Sequence, residues 1–192
     1  MMIRGAIFDM DGTIVDVSYD WKKIKEELGT GGKPILSHLQ GLSEPERSTK
    51  WKILEKHEKT ATAQATLKKG IQEFLLFLEK KGIKTALVTN NSRRNVDYLL
   101  DKFGLRFDLV LARETGLWKP SGDPFLFVLR NLRLKKEEVC VIGNSHFDVK
   151  AAEEAGIKMV FILVRDKEKG HIKGAEIFPS VKKLRERMLS LV

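Results

Sequence analysis

Two acidic residues follow a largely apolar segment near the beginning of the chain. Residues 3–8 predict a buried β-strand, and Asp9 and Asp11 come directly after it. In an extended chain, a spacing of two directs both carboxylates to the same side, and Gly12 allows the chain to turn away at once. Two carboxylates this close repel each other unless a proton or a cation lies between them. The pair therefore predicts a site for a hard divalent metal ion such as Mg²⁺, which prefers oxygen ligands.

The rest of the chain predicts an alternation of strands and helices. Further apolar segments predict strands at residues 84–88, 107–112, 138–142 and 158–164. Helical segments separate these strands, and a polar loop leads from the last strand to a final helix. Near-continuous apolar strands that alternate with helices are typical of a parallel sheet covered on both faces. We therefore expect an α/β fold with a Rossmann-like three-layer α/β/α core and a mainly parallel sheet of about five strands.

A helical insert follows the first predicted strand. Trp21, Ile24 and Leu28 have the spacing of one apolar helix face, and further helical segments continue to about Gly70. We expect a core formed by residues 1–15 and 70–192, and a small all-helical unit at residues 16–69.

Polar side chains follow the predicted strands at their carboxyl ends. Thr89 and Asn90 come after the second strand, and Asn144 and Asp148 come after the fourth. Lys119 lies in the loop after the third strand. Because ligands of such folds bind beyond the carboxyl ends of the strands, we expect these side chains to share one rim with the acidic pair.

Four segments, in this order, resemble the motifs of a known family. Residues 9–13 resemble the D-x-D-G-T motif of the haloacid dehalogenase superfamily, in its phosphatase branch with phosphoglycolate phosphatase-like members. Thr89 and Lys119 resemble the second and third motifs of that family, and residues 143–148 resemble its fourth motif, usually G-D-x-x-x-D. In this family, a helical insert after the first motif is a cap over the site, so the resemblance gives residues 16–69 that role.

The resemblance also implies a function for each of these residues. Asp9 is expected to attack phosphorus and become a phospho-aspartate, and Asp11 to act as general acid and base. Thr89 and Lys119 are expected to bind the phosphoryl group, and the main chain of Asn90 offers further donors at a helix start. The expected Mg²⁺ ligands are Asp9, Asp11, Asn144 and Asp148.

Asn144 departs from the family pattern, which usually has an Asp metal ligand at this position. A neutral amide oxygen can still coordinate Mg²⁺, but it brings one negative charge fewer. We therefore expect weaker metal binding, with Asp148 either holding a metal-bound water or ligating directly.

Composition limits the setting in which the protein works. The chain has 192 residues, a formal net charge of +9 and one cysteine, Cys140, in an apolar segment. A single buried cysteine fits a reducing compartment, and the apolar segments are too short for a membrane span, so we expect a cytoplasmic protein. Lys and Glu alternate along the helical segments, which is typical of solvated faces, so nucleic acid is not an expected partner. The sequence makes no prediction about the oligomeric state.

These observations predict a Mg²⁺-dependent phosphatase acting on a small-molecule phosphate ester. Two other enzymes of the same fold stay open, a phosphomutase and a dehalogenase, although the family's dehalogenases lack the second acid, Asp11. A non-catalytic module that regulates or binds nucleic acid is the alternative outside enzymes, and the positive charge and Asn144 are its support.

Overall fold

The computed structural model of the protein describes residues 2–164 and 172–192. Its strands, in chain order, are β1 (Gly5–Phe8), β2 (Val15–Asp16), β3 (Thr66–Leu67), β4 (Lys84–Val88), β5 (Leu109–Leu111), β6 (Val139–Gly143), β7 (Met159–Leu163) and β8 (Glu176–Phe178). Its α-helices are α1 (Trp21–Leu28), α2 (Ile35–Gln40), α3 (Glu46–Gln64), α4 (Ile71–Lys80), α5 (Arg93–Phe103), α6 (Asp123–Leu132), α7 (His146–Glu154) and α8 (Val181–Met188). In the described part of the chain, every helix is too short or too polar for a membrane span.

Among the described residues, six strands form one sheet in the order β5-β4-β1-β6-β7-β8, and all its neighbouring pairs are parallel. This arrangement confirms the predicted α/β class with a mainly parallel sheet, and it adds a sixth strand. β8 escaped prediction because it has three residues, begins with Glu176 and is only partly buried. The polar loop expected before the last helix includes residues 165–171, which lie outside the described residues.

Helices cover both faces of the sheet. Alternate residues of β1 point to opposite faces. Ile7 joins the apolar cluster that includes Phe125 of α6 and Ala151 of α7. Phe8 contacts Phe74 of α4 edge-to-face, with ring centroids 5.9 Å apart, and α4 packs against α8. Burial on both sides explains why the central strands are almost wholly apolar.

The chain divides into two compact units. The first contains the chain up to Asp16 and from Leu67 onward, and the second is Val17–Thr66. Within the second unit, α1 and α2 each pack against α3. The small core of this unit contains Ile24, Leu28, Leu39 and Leu54. The predicted insert, residues 16–69, includes this unit, and its function as a cap stays a prediction.

Trp21 does not lie on the buried apolar helix face that its spacing with Ile24 and Leu28 predicts. It is the first residue of α1 and is 47% exposed, whereas Ile24 and Leu28 are buried. Its ring contacts that of Tyr19, with centroids 4.5 Å apart, so an aromatic neighbour replaces the core as its packing partner.

The single cysteine provides a test of the buried sheet. Cys140 is fully buried in β6, and burial raises the pKa of its thiol to about 12. Because the thiolate is the reactive form, the native protein at about pH 8 should resist iodoacetamide, whereas the urea-unfolded protein should be alkylated completely. Mass spectrometry of timed samples measures both reactions. Rapid alkylation of the native protein would contradict the closed packing of β6.

Candidate active site

The end of β1 carries Asp9 into the site. The Asp9 main-chain amide bonds to the Ile142 carbonyl of β6 at 2.9 Å, so the pairing of the two strands extends to this residue. The turn that follows returns Thr13 to Asp9, and the Thr13 hydroxyl donates to Asp9 Oδ2 at 3.0 Å. Thr13 is completely buried. The orientation of the Asp9 carboxylate is therefore fixed from within its own loop.

The ammonium group of Lys119 lies between two carboxylates. Its Nζ is 2.6 Å from Asp9 Oδ1 and 2.7 Å from Asp148 Oδ1, and the residue is 6% exposed. Asn90 holds the main chain of Lys119: its side-chain amide donates to the Lys119 carbonyl at 2.8 Å and accepts from the Lys119 N–H at 3.0 Å. The side chain of Asn90 thus holds the loop that carries Lys119. The predicted contact of Asn90 with phosphate concerns its main chain.

Asp148 lies in the first turn of α7 and is completely buried. Its Oδ2 accepts from the main-chain amides of Asn144 and Ser145 at 3.2 and 3.1 Å, and from the Ser145 hydroxyl at 2.9 Å. Gly143 makes room for the carboxylate, because a Cβ there would lie 2.4 Å from Asp148 Cγ. With Lys119 bound to Oδ1, both oxygens of Asp148 have protein donors.

Carboxylates outnumber the cation in this site. Burial raises the pKa of Asp9, the positive charge of Lys119 lowers it, and the charges of Asp148 and Asp11 raise it again, to about 7. Burial lowers the pKa of Lys119, but the attraction of Asp148 and Asp9 outweighs this effect and holds the pKa above its usual value. Lys119 therefore stays protonated, and the site retains an excess of negative charge.

Asp11 is held by an asparagine that the sequence analysis did not identify. Asn91 Nδ2 donates to Asp11 Oδ2 at 3.0 Å, and the Asn91 main-chain amide donates to Thr89 Oγ1 at 3.1 Å. The buried Thr89 hydroxyl retains its proton as a hydrogen-bond donor. Asn91 follows Thr89 by two positions, so the alternation along an extended chain is the signal that could have identified it.

The side chain of Asn144 joins the first and fourth motifs. Its Nδ2 donates to the Asp11 main-chain carbonyl at 3.0 Å. Gly12 permits this approach, because a Cβ at that position would lie 1.9 Å from Asn144 Nδ2. A carboxylate at position 144 has no N–H and would face the Asp11 carbonyl without a bond.

The donor set suits a hard divalent cation. It offers the Asp9 carboxylate, the Asp11 carbonyl and the Asn144 amide oxygen, and the carboxylates of Asp9, Asp11 and Asp148 outnumber the Lys119 ammonium. In residues 2–164 and 172–192, no group of three or more His, Cys, Asp or Glu side chains is arranged to hold a metal ion. A bound cation would therefore depend on the carbonyl and the amide as well as on acidic side chains.

All residues predicted at the rim belong to one connected hydrogen-bond network, which also includes Thr13 and Asn91. The predicted residues in it are Asp9, Asp11, Thr89, Asn90, Lys119, Asn144 and Asp148. The network assembles the predicted set in one place, while the chemical functions of its members stay predictions.

Comparison with known families identifies the class to which the chain belongs. Residues 6–162 match the model of the haloacid dehalogenase-like hydrolase family. The chain therefore belongs to this family, and the predicted family and the predicted hydrolase class are confirmed.

Several known proteins are similar to this chain. It is 26% identical over 191 residues to the phosphorylated carbohydrates phosphatase of Thermotoga maritima, with 88% of each chain covered. It is 26% identical over 183 residues to phosphoglycolate phosphatase 1 of Pseudomonas aeruginosa, covering 81% of this chain and 67% of that protein. The structure of CbbY from Rhodobacter sphaeroides in complex with phosphate has a TM-score of 0.72 at 24% identity, covering 95% of this chain and 96% of that one. This last similarity establishes a shared fold.

A substitution at Gly12 tests the close approach between the loop of the first motif and that of the fourth motif. Gly12→Ala should destabilise the protein by about 1–2 kcal/mol more than Gly104→Ala, because the new Cβ would displace Asn144 and break its bond to Asp11. Gly104 is the matched control: its φ is also positive, at 62°, and in the described part of the chain no neighbouring atom lies within 4 Å of its Cβ position. Chemical denaturation measures both. Equal destabilisation would show that the Asn144 contact contributes nothing.

Proposed function

We propose that this protein is a Mg²⁺-dependent phosphatase that hydrolyses small-molecule phosphate monoesters through a phospho-aspartate on Asp9. The observation that carries the proposal is the buried Asp9 carboxylate, 2.6 Å from the Lys119 ammonium, with a second acid two positions later. A nucleophile, a fixed positive charge and an acid–base group are what phosphoryl transfer requires. Family membership and the similarity to two phosphatases support the same reaction.

In the first half-reaction, a carboxylate oxygen of Asp9 attacks phosphorus. The bond from phosphorus to the ester oxygen breaks, and its electron pair goes to that oxygen. Asp11 gives its proton to the same oxygen, so the leaving group departs as a neutral alcohol. Lys119 and the Thr89 hydroxyl hold the phosphoryl oxygens and offset their charge.

In the second half-reaction, water releases the phosphoryl group from Asp9. Asp11, now a carboxylate, takes a proton from water as the water oxygen attacks phosphorus. The bond between phosphorus and the Asp9 oxygen breaks, inorganic phosphate leaves, and both acids return to their starting forms. Asp148 acts through Lys119, which it holds at 2.7 Å.

A bound Mg²⁺ ion would supply further positive charge beside the phosphoryl oxygens. The residues that would hold it are Asp9, the main-chain carbonyl of Asp11, and Asn144. We assign Asp148 to positioning instead of direct ligation, because three protein donors bind its Oδ2 and the Lys119 ammonium binds its Oδ1, whereas among the described residues each oxygen of Asp9 accepts from a single donor.

The proposed substrates are small phosphorylated sugars or phosphorylated acids of the phosphoglycolate type. Support comes from the similarity to a phosphorylated carbohydrates phosphatase and to a phosphoglycolate phosphatase. We propose the cytoplasm as the compartment, since the buried free thiol of Cys140 fits a reducing environment.

The competing functions differ in their products. A phosphomutase would transfer the phosphoryl group from Asp9 to a sugar hydroxyl and release little phosphate. A dehalogenase has no leaving oxygen to protonate, so Asp11 would have no such role. A non-catalytic nucleic-acid-binding module would be retained on a column of immobilised nucleic acid in a salt-dependent manner and would release no phosphate.

Asp9→Asn tests the nucleophile. The amide cannot form the phospho-enzyme, so phosphate release from p-nitrophenyl phosphate with Mg²⁺ should fall by roughly 10³-fold or more. Phosphate release by the unchanged protein should also stop when a chelator removes Mg²⁺. Asp97→Asn is the matched control, because Asp97 is an exposed acid paired with Arg93 at 2.8 Å, and its activity should be unchanged. Full activity of folded Asp9→Asn would remove Asp9 from its role.

Asn144→Asp tests the departure from the family pattern. Without metal, the variant loses the bond to the Asp11 carbonyl, so its melting temperature should fall by about 2–4 °C per ~1 kcal/mol lost. With Mg²⁺, the added charge should tighten metal binding by about tenfold, measured by titration calorimetry.

The control for Asn144→Asp is Asn131→Asp. Asn131 Nδ2 also donates to a main-chain carbonyl, that of Phe127 at 2.8 Å, but on an exposed helix turn. This variant should leave Mg²⁺ affinity unchanged. If Asn144→Asp also binds Mg²⁺ as the unchanged protein does, then Asn144 is not a metal ligand.

A further inference from the structure

Two buried asparagines form a hydrogen-bonded chain that ends at Asp11, and the proposed chemistry does not explain them. Asn91 is 4% exposed and Asn95 is 9% exposed. They lie in the loop between β4 and α5 and in the first turn of α5. Burying an amide is costly unless its donors and acceptors are satisfied, so these groups require a reason to be there.

The hydrogen bonds around Asn91 fix which way its amide points. Its Oδ1 accepts from the Ser92 main-chain amide at 2.8 Å and from Asn95 Nδ2 at 2.9 Å. Its Nδ2 donates to Asp11 Oδ2 at 3.0 Å. Reversing the amide would set an oxygen against the Asp11 carboxylate and an NH₂ group against two donors. The Asn91 donor is therefore directed at Asp11 by its other contacts.

The main chain of Asn91 is fixed as well. Its N–H donates to Thr89 Oγ1 at 3.1 Å, and the next residue, Ser92, is the N-cap of α5 and accepts from the Asn95 N–H at 3.4 Å. The donor therefore comes from a short loop that is held between the end of β4 and the N-cap of α5. A rigid support of this kind suits a group that must hold its neighbour in one orientation.

We propose that Asn91, oriented by Asn95, is a positioning residue that holds the Asp11 carboxyl group in place for proton transfer to the leaving oxygen. This inference rests on the proposed phosphatase function. In the step concerned, Asp11 gives its proton to the ester oxygen while the bond from that oxygen to phosphorus breaks and the Asp9 oxygen bonds to phosphorus. Asn91 keeps its own hydrogens throughout and contributes only the direction of the Asp11 side chain.

The dependence of the rate on the leaving group tests this role. A good leaving group departs without a proton, whereas an alkoxide requires one, so misplacing the general acid slows only the poor leaving groups. We would compare dinitrophenyl, phenyl and ethyl phosphate with Mg²⁺ and measure kcat/KM, because this constant covers the steps up to release of the alcohol.

Asn91→Ala should lose about 10²-fold in kcat/KM with ethyl phosphate and less than about threefold with dinitrophenyl phosphate. Asn95→Ala should change the rates in the same direction but by less, because Asn91 Oδ1 still accepts from the Ser92 amide. This second variant places a good helix former in the first turn of α5, so it tests the proposal even if Asn91→Ala does not fold. Asn131→Ala, at an exposed position of α6, is the control and should match the unchanged protein.

Each other outcome overturns the proposal in a distinguishable way. An equal loss with all three esters, in a folded variant, would assign Asn91 a general structural role. Wild-type rates in both variants would show that Asp11 needs no support from this side. If the unchanged protein hydrolyses none of the esters with Mg²⁺, the proposed function itself fails, and the positioning role fails with it.

Discussion

The buried ion pairs of Lys119 are the interaction on which the site depends. One ammonium group contacts Asp9 at the end of β1 and Asp148 at the start of α7, and it comes from the loop that follows β5. Three segments distant in sequence are thus tied together by charge in a place with little water. Breaking a buried ion pair leaves an uncompensated charge, which costs about 3–5 kcal/mol. The same arrangement that holds the loops together keeps a positive charge beside the proposed nucleophile.

Three asparagine side chains complete this arrangement around the charged centre. Asn90 binds the main chain of Lys119, Asn91 binds the carboxylate of Asp11, and Asn144 binds the carbonyl of Asp11. An amide offers a donor and an acceptor without a charge. In a site where carboxylates already outnumber the cation, a further acid would add repulsion, so neutral connectors are the physically consistent choice. The Asn at position 144 fits this pattern, although it departs from the usual motif of the family.

The strand order explains why these groups meet. β1 lies between β4 and β6 in the sheet, so the acids after β1 are adjacent to the polar residues that follow β4 and β6. Parallel strands bring all their carboxyl ends to one edge, which is where ligands bind in such folds. The family match covers this core from residue 6 to residue 162. The proposed catalytic residues all belong to the first unit, and none of them is assigned to the recognition of a particular ester.

The sequence by itself determined most of the strands and helices and which polar residues gather at the strand ends, because apolar periodicity records burial and because acids, Thr89 and Lys119 follow the strands. It did not reveal β8, whose three half-buried residues carry no apolar pattern. Nor does it reveal the side-chain partners of the asparagines: the phosphate contact predicted for Asn90 concerns its main chain, while its side chain binds Lys119, and Asn91 is not predicted at all. The partner of an amide depends on which loops the sheet brings within about 3 Å, and that distance is set by strand order and register. Only the tertiary structure decides it.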